Sequence, residues 1–242
     1  MSKSKEDFEW KLLWRGHLLL FDKTPGPTYS VESGGKLLWV FVIVGLLMDP
    51  LWIFARSTLH LRGTEWQKLG PPSLLAVSAV LVWRFARVPF TELGLRRWAR
   101  WSTTERLYFL QIVPLASIAF AVVFSSNLAS LWRDRGVIQI IFLSILPGLL
   151  WGFCQEFLYR GILQTELVRR WGTVGGVLAS NALYTFGPLH FYHFRLAKNN
   201  PEHLWIFAAI FGMGMIFSAI YHRSRNLWII GVMHGLWPLN FM

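Results

Sequence analysis

The chain has little with which to build a solvated or cross-linked protein. Its 242 residues include a single cysteine, Cys154, which excludes an internal disulfide and a Cys-rich metal site. Charged residues make up 15% of the chain and hydrophobic residues 54%, too little polar surface for a soluble domain. The apolar residues run continuously instead of alternating, so a transmembrane β-barrel is excluded. No secretory signal is evident, because the first apolar span begins after 36 mixed, charged residues and lacks a small-residue cleavage site. No repeat, low-complexity tract or dividing linker is found, which predicts one domain over 1–242. Acidic residues are scarce too, 13 against 24 Lys and Arg, for a net charge of +11. The basic residues cluster in short loops between apolar spans, a mark of membrane topology, so no nucleic-acid partner is expected.

What remains is an all-α fold, a polytopic membrane helical bundle of about seven transmembrane helices. The spans read 37–54, 71–87, 107–126, 137–154, 173–191, 203–221 and 227–241. Ahead of them, residues 8–21 mix Lys and Arg with Trp and Leu, the pattern of an amphipathic helix lying on the membrane. Pro25, Gly26 and Pro27 end it. With the amino terminus in the cytoplasm, the cytoplasmic segments hold 15 Lys and Arg and the opposite loops hold 7. The positive-inside rule therefore predicts a multi-pass protein of the cell inner membrane, N-terminus cytoplasmic. The 14 Trp fall largely near span ends, where their rings form interfacial belts.

Against this background a few polar residues are out of place. The stretch 151–164, WGFCQEFLYRGILQ, follows an apolar run with no turn signal between. Its Glu156 and Arg160 stand at i, i+4 and so share one helix face. An ionisable residue at membrane depth faces the bundle interior or a wet cavity and marks a functional site by default. The plainer alternative is an interfacial ion pair stapling two helices. The fifth span ends SNALYTFGPLHFYHF and brings His190 and His193; the seventh brings His234 and Asn240. A lone histidine in a bundle is commonly a hydrogen-bonded structural residue, and His193 and His222 near span ends read as interfacial. The coincidence of Glu156, Arg160, His190 and His234 on three spans argues for a site. A shielded carboxylate with imidazoles can activate water, while a second His or Asn stabilises a developing oxyanion. Hydrolysis of a peptide bond in or beside the membrane is the reaction class this suggests. Zinc held by His190, His234 and Glu156 competes. The His-Glu-x-x-His spacing is absent, however, and Arg160 would repel a cation beside Glu156. No cofactor and no bound metal are expected.

These residues resemble the CAAX protease and bacteriocin-processing (CPBP, or Abi) family of glutamic intramembrane endopeptidases. The family's Glu-Glu-x-x-x-Arg motif, usually followed by Gly, reads here Gln155-Glu156-Phe157-Leu158-Tyr159-Arg160-Gly161. Its Phe-x-x-x-His motif is matched by Phe186 to His190, and its His-x-x-x-Asn motif at His234 only. A Glu-Leu-Gly-Leu-Arg-Arg run at 92–97 is similar to the family's usual lead-in, so the resemblance covers roughly 90–242. It implies a protease whose first glutamate is the general base and whose second pairs with the arginine. Gln155 occupies the base position, and Pro238 stands where the family's Asn would fall, leaving Asn240 as the substitute.

An amide keeps the shape of glutamate and loses its basicity. Gln155 therefore has three possible origins: an inactivating swap, a non-catalytic relative, or a subgroup in which Glu156 became the base. The resemblance implies catalytic roles for Gln155, Glu156, Arg160, His190, His234 and Asn240, acting on a membrane-anchored peptide or protein tail in the lipid bilayer. A binding or chaperone-like protein that kept the cavity is the alternative. A proton-coupled transporter using Glu156 and His190 is disfavoured by the lack of inverted repeats.

Overall fold

The computed structural model describes residues 33–60, 69–123 and 136–236, with isolated positions between 125 and 133. The amphipathic segment 8–21, Pro238 and Asn240 lie outside the described residues. Among the described residues the fold is helical, with no strand. The helices are α1 (Lys36–Thr58), α2 (Gly70–Ala86), α3 (Thr103–Val123), α4 (137–164), α5 (Thr165–Phe186), α6 (Phe191–Asn199), α7 (Trp205–Ser224) and α8 (Leu227–Gly235). Among the described residues three segments are long and apolar enough to cross a membrane: Lys36–Thr58, Glu105–Val123 and Pro201–Ser224. The outward faces keep large apolar side chains exposed, such as Leu51, Phe54, Ile118 and Val122. Contiguous exposure of this kind fits contact with lipid.

Proline shapes two of the helices. It removes a backbone donor and its ring presses on the carbonyl four residues back. In α1 the ladder widens to i→i+5 bonding over Val42–Met48, directly before Pro50. In α4 it widens over Ile141–Ile145, directly before Pro147. Two further wide stretches, Val82–Ala86 in α2 and Phe157–Gln164 in α4, contain no proline. The α4 stretch begins just past Glu156 and holds Arg160, and wide turns of this kind occur often at functional sites. The Thr165 hydroxyl donates to the Arg160 carbonyl at 3.2 Å where this stretch ends.

Two boundaries differ from expectation. The fifth span was expected to run through 191, but α5 stops at Phe186 because Gly187 and Pro188 cannot continue it. His190 consequently sits on a separate turn, Pro188–His190, and not within the span. At the other end of α5, Gly172 adopts φ 72° and breaks the helix, so that residues 173–186 start afresh.

The run at 92–97 acts as a strap. Gly94 carbonyl accepts from Leu227 N–H at 3.0 Å, and Leu93 carbonyl accepts from the Tyr221 hydroxyl at 3.0 Å. Arg225 donates to Glu92 carbonyl at 2.9 Å and to the Thr165 hydroxyl at 3.1 Å. Arg96 donates to Arg225 carbonyl, and Asn226 to Glu105, at 3.1 and 3.0 Å. The corner between α7 and α8 is thereby fixed to the start of α3 and to the junction of α4 with α5.

The tightest packing joins α4 to α8. Gly148 and Gly152 on one helix face Gly235 on the other, while Gly231 makes room for the Phe153 ring. A methyl added at Gly152 would stand 2.5 Å from the Gly235 nitrogen, and one at Gly235 would stand 2.5 Å from the Leu149 Cα. Main chain therefore rests on main chain, the small-xxx-small arrangement by which membrane helices pack closely. Gly152→Ala should lower the thermal midpoint in detergent, with an overpacking cost of at least ~1–3 kcal/mol. Gly212→Ala is the control, because a methyl there meets nothing within 4 Å. Equal midpoints for the two variants would refute the main-chain contact.

Candidate active site

Glu156 is the centre of charge. It lies on α4 with no exposed surface, where an unpaired carboxylate would be prohibitively costly. Two partners compensate it. Arg160 approaches with Nε 3.4 Å from Oε2 and Nη1 3.4 Å from Oε1. His234 Nδ1 lies 2.6 Å from Oε1, and since a carboxylate accepts, the imidazole donates. That bond leaves the lone pair of a neutral His234 on Nε2. The contact spans 78 residues of sequence. It follows from the glycine packing, because Gly152 lies one turn before Glu156 and Gly235 is next to His234. The His234 ring stacks on Phe217 of α7, with centroids 5.2 Å apart.

Arg160 is buried as fully as its partner, at 1% exposure. It donates through Nη2 to Gly214 carbonyl at 3.0 Å. Its guanidinium carbon stands 4.2 Å from the Tyr184 ring centroid, a desolvated cation–π contact. The arginine thus links α4 to both α5 and α7.

Tyr184 gathers the remaining groups. Its hydroxyl donates to Gln155 Oε1 at 3.3 Å, and its backbone carbonyl accepts from His190 Nδ1 at 2.7 Å. Its ring meets His190 at 5.1 Å, Tyr159 at 5.1 Å and His234 at 6.4 Å, all edge to face. Like His234, a neutral His190 keeps its lone pair on Nε2. Gln155 uses its oxygen on Tyr184, which leaves the NH2 group as its capacity to donate. His193, expected to be merely interfacial, stacks on His190 with centroids 5.7 Å apart.

The structure therefore brings Gln155, Glu156, Arg160, His190 and His234 around Tyr184, while Asn240 lies outside the described residues. Sequence reasoning passed over Tyr184 as one more apolar residue of the fifth span. The available signal was its hydroxyl, since a buried tyrosine needs a partner for that group. Among the described residues no group of three or more His, Cys, Asp or Glu is arranged to hold a metal ion.

Residues 137–240 match the family model described as Type II CAAX prenyl endopeptidase Rce1-like. Over these residues, less than half of the chain, the protein is similar to that family. The match agrees with the resemblance carried by the three motifs. No curated protein and no solved structure matches the chain. Within the matched residues lie Gln155, Glu156, Arg160, Tyr184, His190 and His234; α1, α2 and α3 precede them.

The Glu156–Arg160 pair should behave as a buried pair. Arg160→Ala leaves the carboxylate without its cation and should cost about 3–5 kcal/mol. Glu156→Ala/Arg160→Ala should recover part of the loss, as read by denaturation in detergent. A harmless Arg160→Ala would show that the pair is not desolvated.

Proposed function

We propose that the protein is an intramembrane endopeptidase that hydrolyses a peptide bond in a membrane-anchored or lipid-proximal tail. The observation that carries this reading is the convergence of two imidazoles with defined tautomers and a buried carboxylate. Glu156 is a positioning residue: balanced by Arg160, it fixes His234. His190 is fixed likewise by the Tyr184 carbonyl. Each imidazole, neutral, presents an Nε2 lone pair able to accept a hydrogen bond from one water and to aim its oxygen at the scissile carbonyl. The Gln155 amide, tied at its oxygen, offers N–H groups where negative charge develops on the carbonyl oxygen. Its amide cannot take the water's proton as the family's glutamate does, and it is the altered feature of this site. Glu156 is a poor substitute as base: Oε1 takes the His234 and Arg160 donors, and Oε2, without a hydrogen-bond partner among the described residues, faces the Arg160 cation 3.4 Å away. The amino terminus is placed in the cytoplasm and the protein in the cell inner membrane, on the distribution of Lys and Arg.

The second reading, a binding protein that kept the cavity, is favoured by the Gln155 amide alone. The two separate in one assay. Purified protein in liposomes is offered prenylated CAAX-type peptides, the substrate class suggested by the family description, and cleavage is followed by mass. His190→Ala should reduce turnover by about 10²–10⁴-fold, and zinc chelators should leave it unchanged. Retention of the peptides without cleavage, by the wild type and by Gln155→Glu alike, would establish the binding protein instead. Loss of activity with a chelator would establish a metal.

A further inference from the structure

The charges around Tyr184 leave one requirement unmet. Arg160 and Glu156 cancel, Gln155 is neutral, and hydrolysis needs an acceptor for the water's proton. Transfer to either imidazole would leave a net positive charge in an apolar interior, which is costly unless a further anion faces it.

A further buried carboxylate is present on α1. Asp49 is 3% exposed, and its Oδ1 has no hydrogen-bond partner among the described residues. A bare, buried carboxylate oxygen is unusual enough to require an explanation. Its surroundings belong to the site. The Asp49–Thr58 part of α1 packs against the Pro188–His190 turn. Asp49 lies within electrostatic reach of Cys154, the neighbour of Gln155, and of Tyr159. The Tyr159 hydroxyl is itself buried without a hydrogen-bond partner among the described residues, and its ring meets Tyr184. The cation whose charge bears on Asp49 is Arg56, two turns along the same helix. The titratable groups linked to Asp49 by charge are thus Arg56 on α1 and Cys154 and Tyr159 on α4, while the turn that carries His190 packs against the same part of α1.

We infer that Asp49 is a further catalytic residue, the carboxylate that takes the place of the base missing at Gln155. This rests on the hydrolytic reading of the site. In the step it performs, the water's O–H bond breaks and the proton goes to an Asp49 oxygen. The hydroxide oxygen bonds to the scissile carbonyl carbon, and the carbonyl π pair moves to its oxygen. When the tetrahedral intermediate collapses, the C–N bond breaks and the Asp49 proton passes to the leaving nitrogen. The products are a carboxylic acid and an amine, with Asp49 again ionised.

The full-length chain in liposomes tests this with Asp49→Asn, Gln155→Glu and the double variant, using the prenylated CAAX-type peptides. Asp49→Asn should lower cleavage about 10²–10⁴-fold, and adding Gln155→Glu to Asp49→Asn should restore it. A merely structural Asp49 would not be rescued in that way. Undiminished cleavage by Asp49→Asn overturns the inference, as does a wild type that is inactive while Gln155→Glu cleaves; both leave the hydrolytic reading standing. Should neither wild type nor Gln155→Glu cleave, the hydrolytic reading itself fails, and with it Asp49 as base. The carboxylate's place beside the turn is read separately from the ¹⁵N shifts of the His190 ring. A neighbouring carboxylate favours imidazolium, so Asp49→Asn should move the His190 midpoint down in pH, and an unmoved midpoint overturns the inference whatever the activity.

Discussion

A carboxylate with no exposed surface, in a protein whose surroundings are mostly hydrocarbon, imposes its needs on everything near it. Glu156 has to be neutralised and hydrogen-bonded at once, and Arg160 and His234 divide those tasks. Meeting them requires α8 to lie against α4 and the Arg160 guanidinium to be held in turn by α5 and α7. The bundle that results is not a generic packing of greasy helices. Its helix contacts are those that leave the Glu156 charge accompanied on both sides.

Some of this was legible in the sequence because it is local. The pairing of Glu156 with Arg160 needs only helix periodicity, and the apolar runs located α1, α3 and α7 to within a few residues. His190 was misplaced onto a span, although Gly187 and Pro188 were in view, because the apolar residues around them gave no hint that the helix had ended. The contact of His234 with Glu156 depends on how closely two distant helices approach, which Gly148, Gly152 and Gly235 decide and hydropathy does not register. Tyr184 and Asp49 were submerged for a related reason: each is a single polar atom or two inside a run that reads as apolar throughout.

The strap at 92–97 shows the same division. Its Glu-Leu-Gly-Leu-Arg-Arg pattern was visible as a lead-in, yet its role is carried largely by main-chain carbonyls, at Glu92, Leu93 and Gly94. Side-chain identity there sets the turn, and the turn sets where the carbonyls point. Arg225, in a left-handed conformation at the end of α7, turns the corner and then fills the strap's acceptors with its guanidinium. A motif can therefore matter through backbone geometry while its side chains never approach the chemistry.

The glycine contact between α4 and α8 has a consequence for life in a bilayer. Membranes differ in hydrophobic thickness, and helices answer a mismatch by tilting. Were the spacing of these two helices set by long side chains, each change of tilt would reach Glu156 and His234 as a change of distance. Resting main chain on main chain, the two helices tilt together as one rod. The carboxylate and the imidazole keep their separation while the rod leans, so the candidate site is insulated from the composition of the lipid around it.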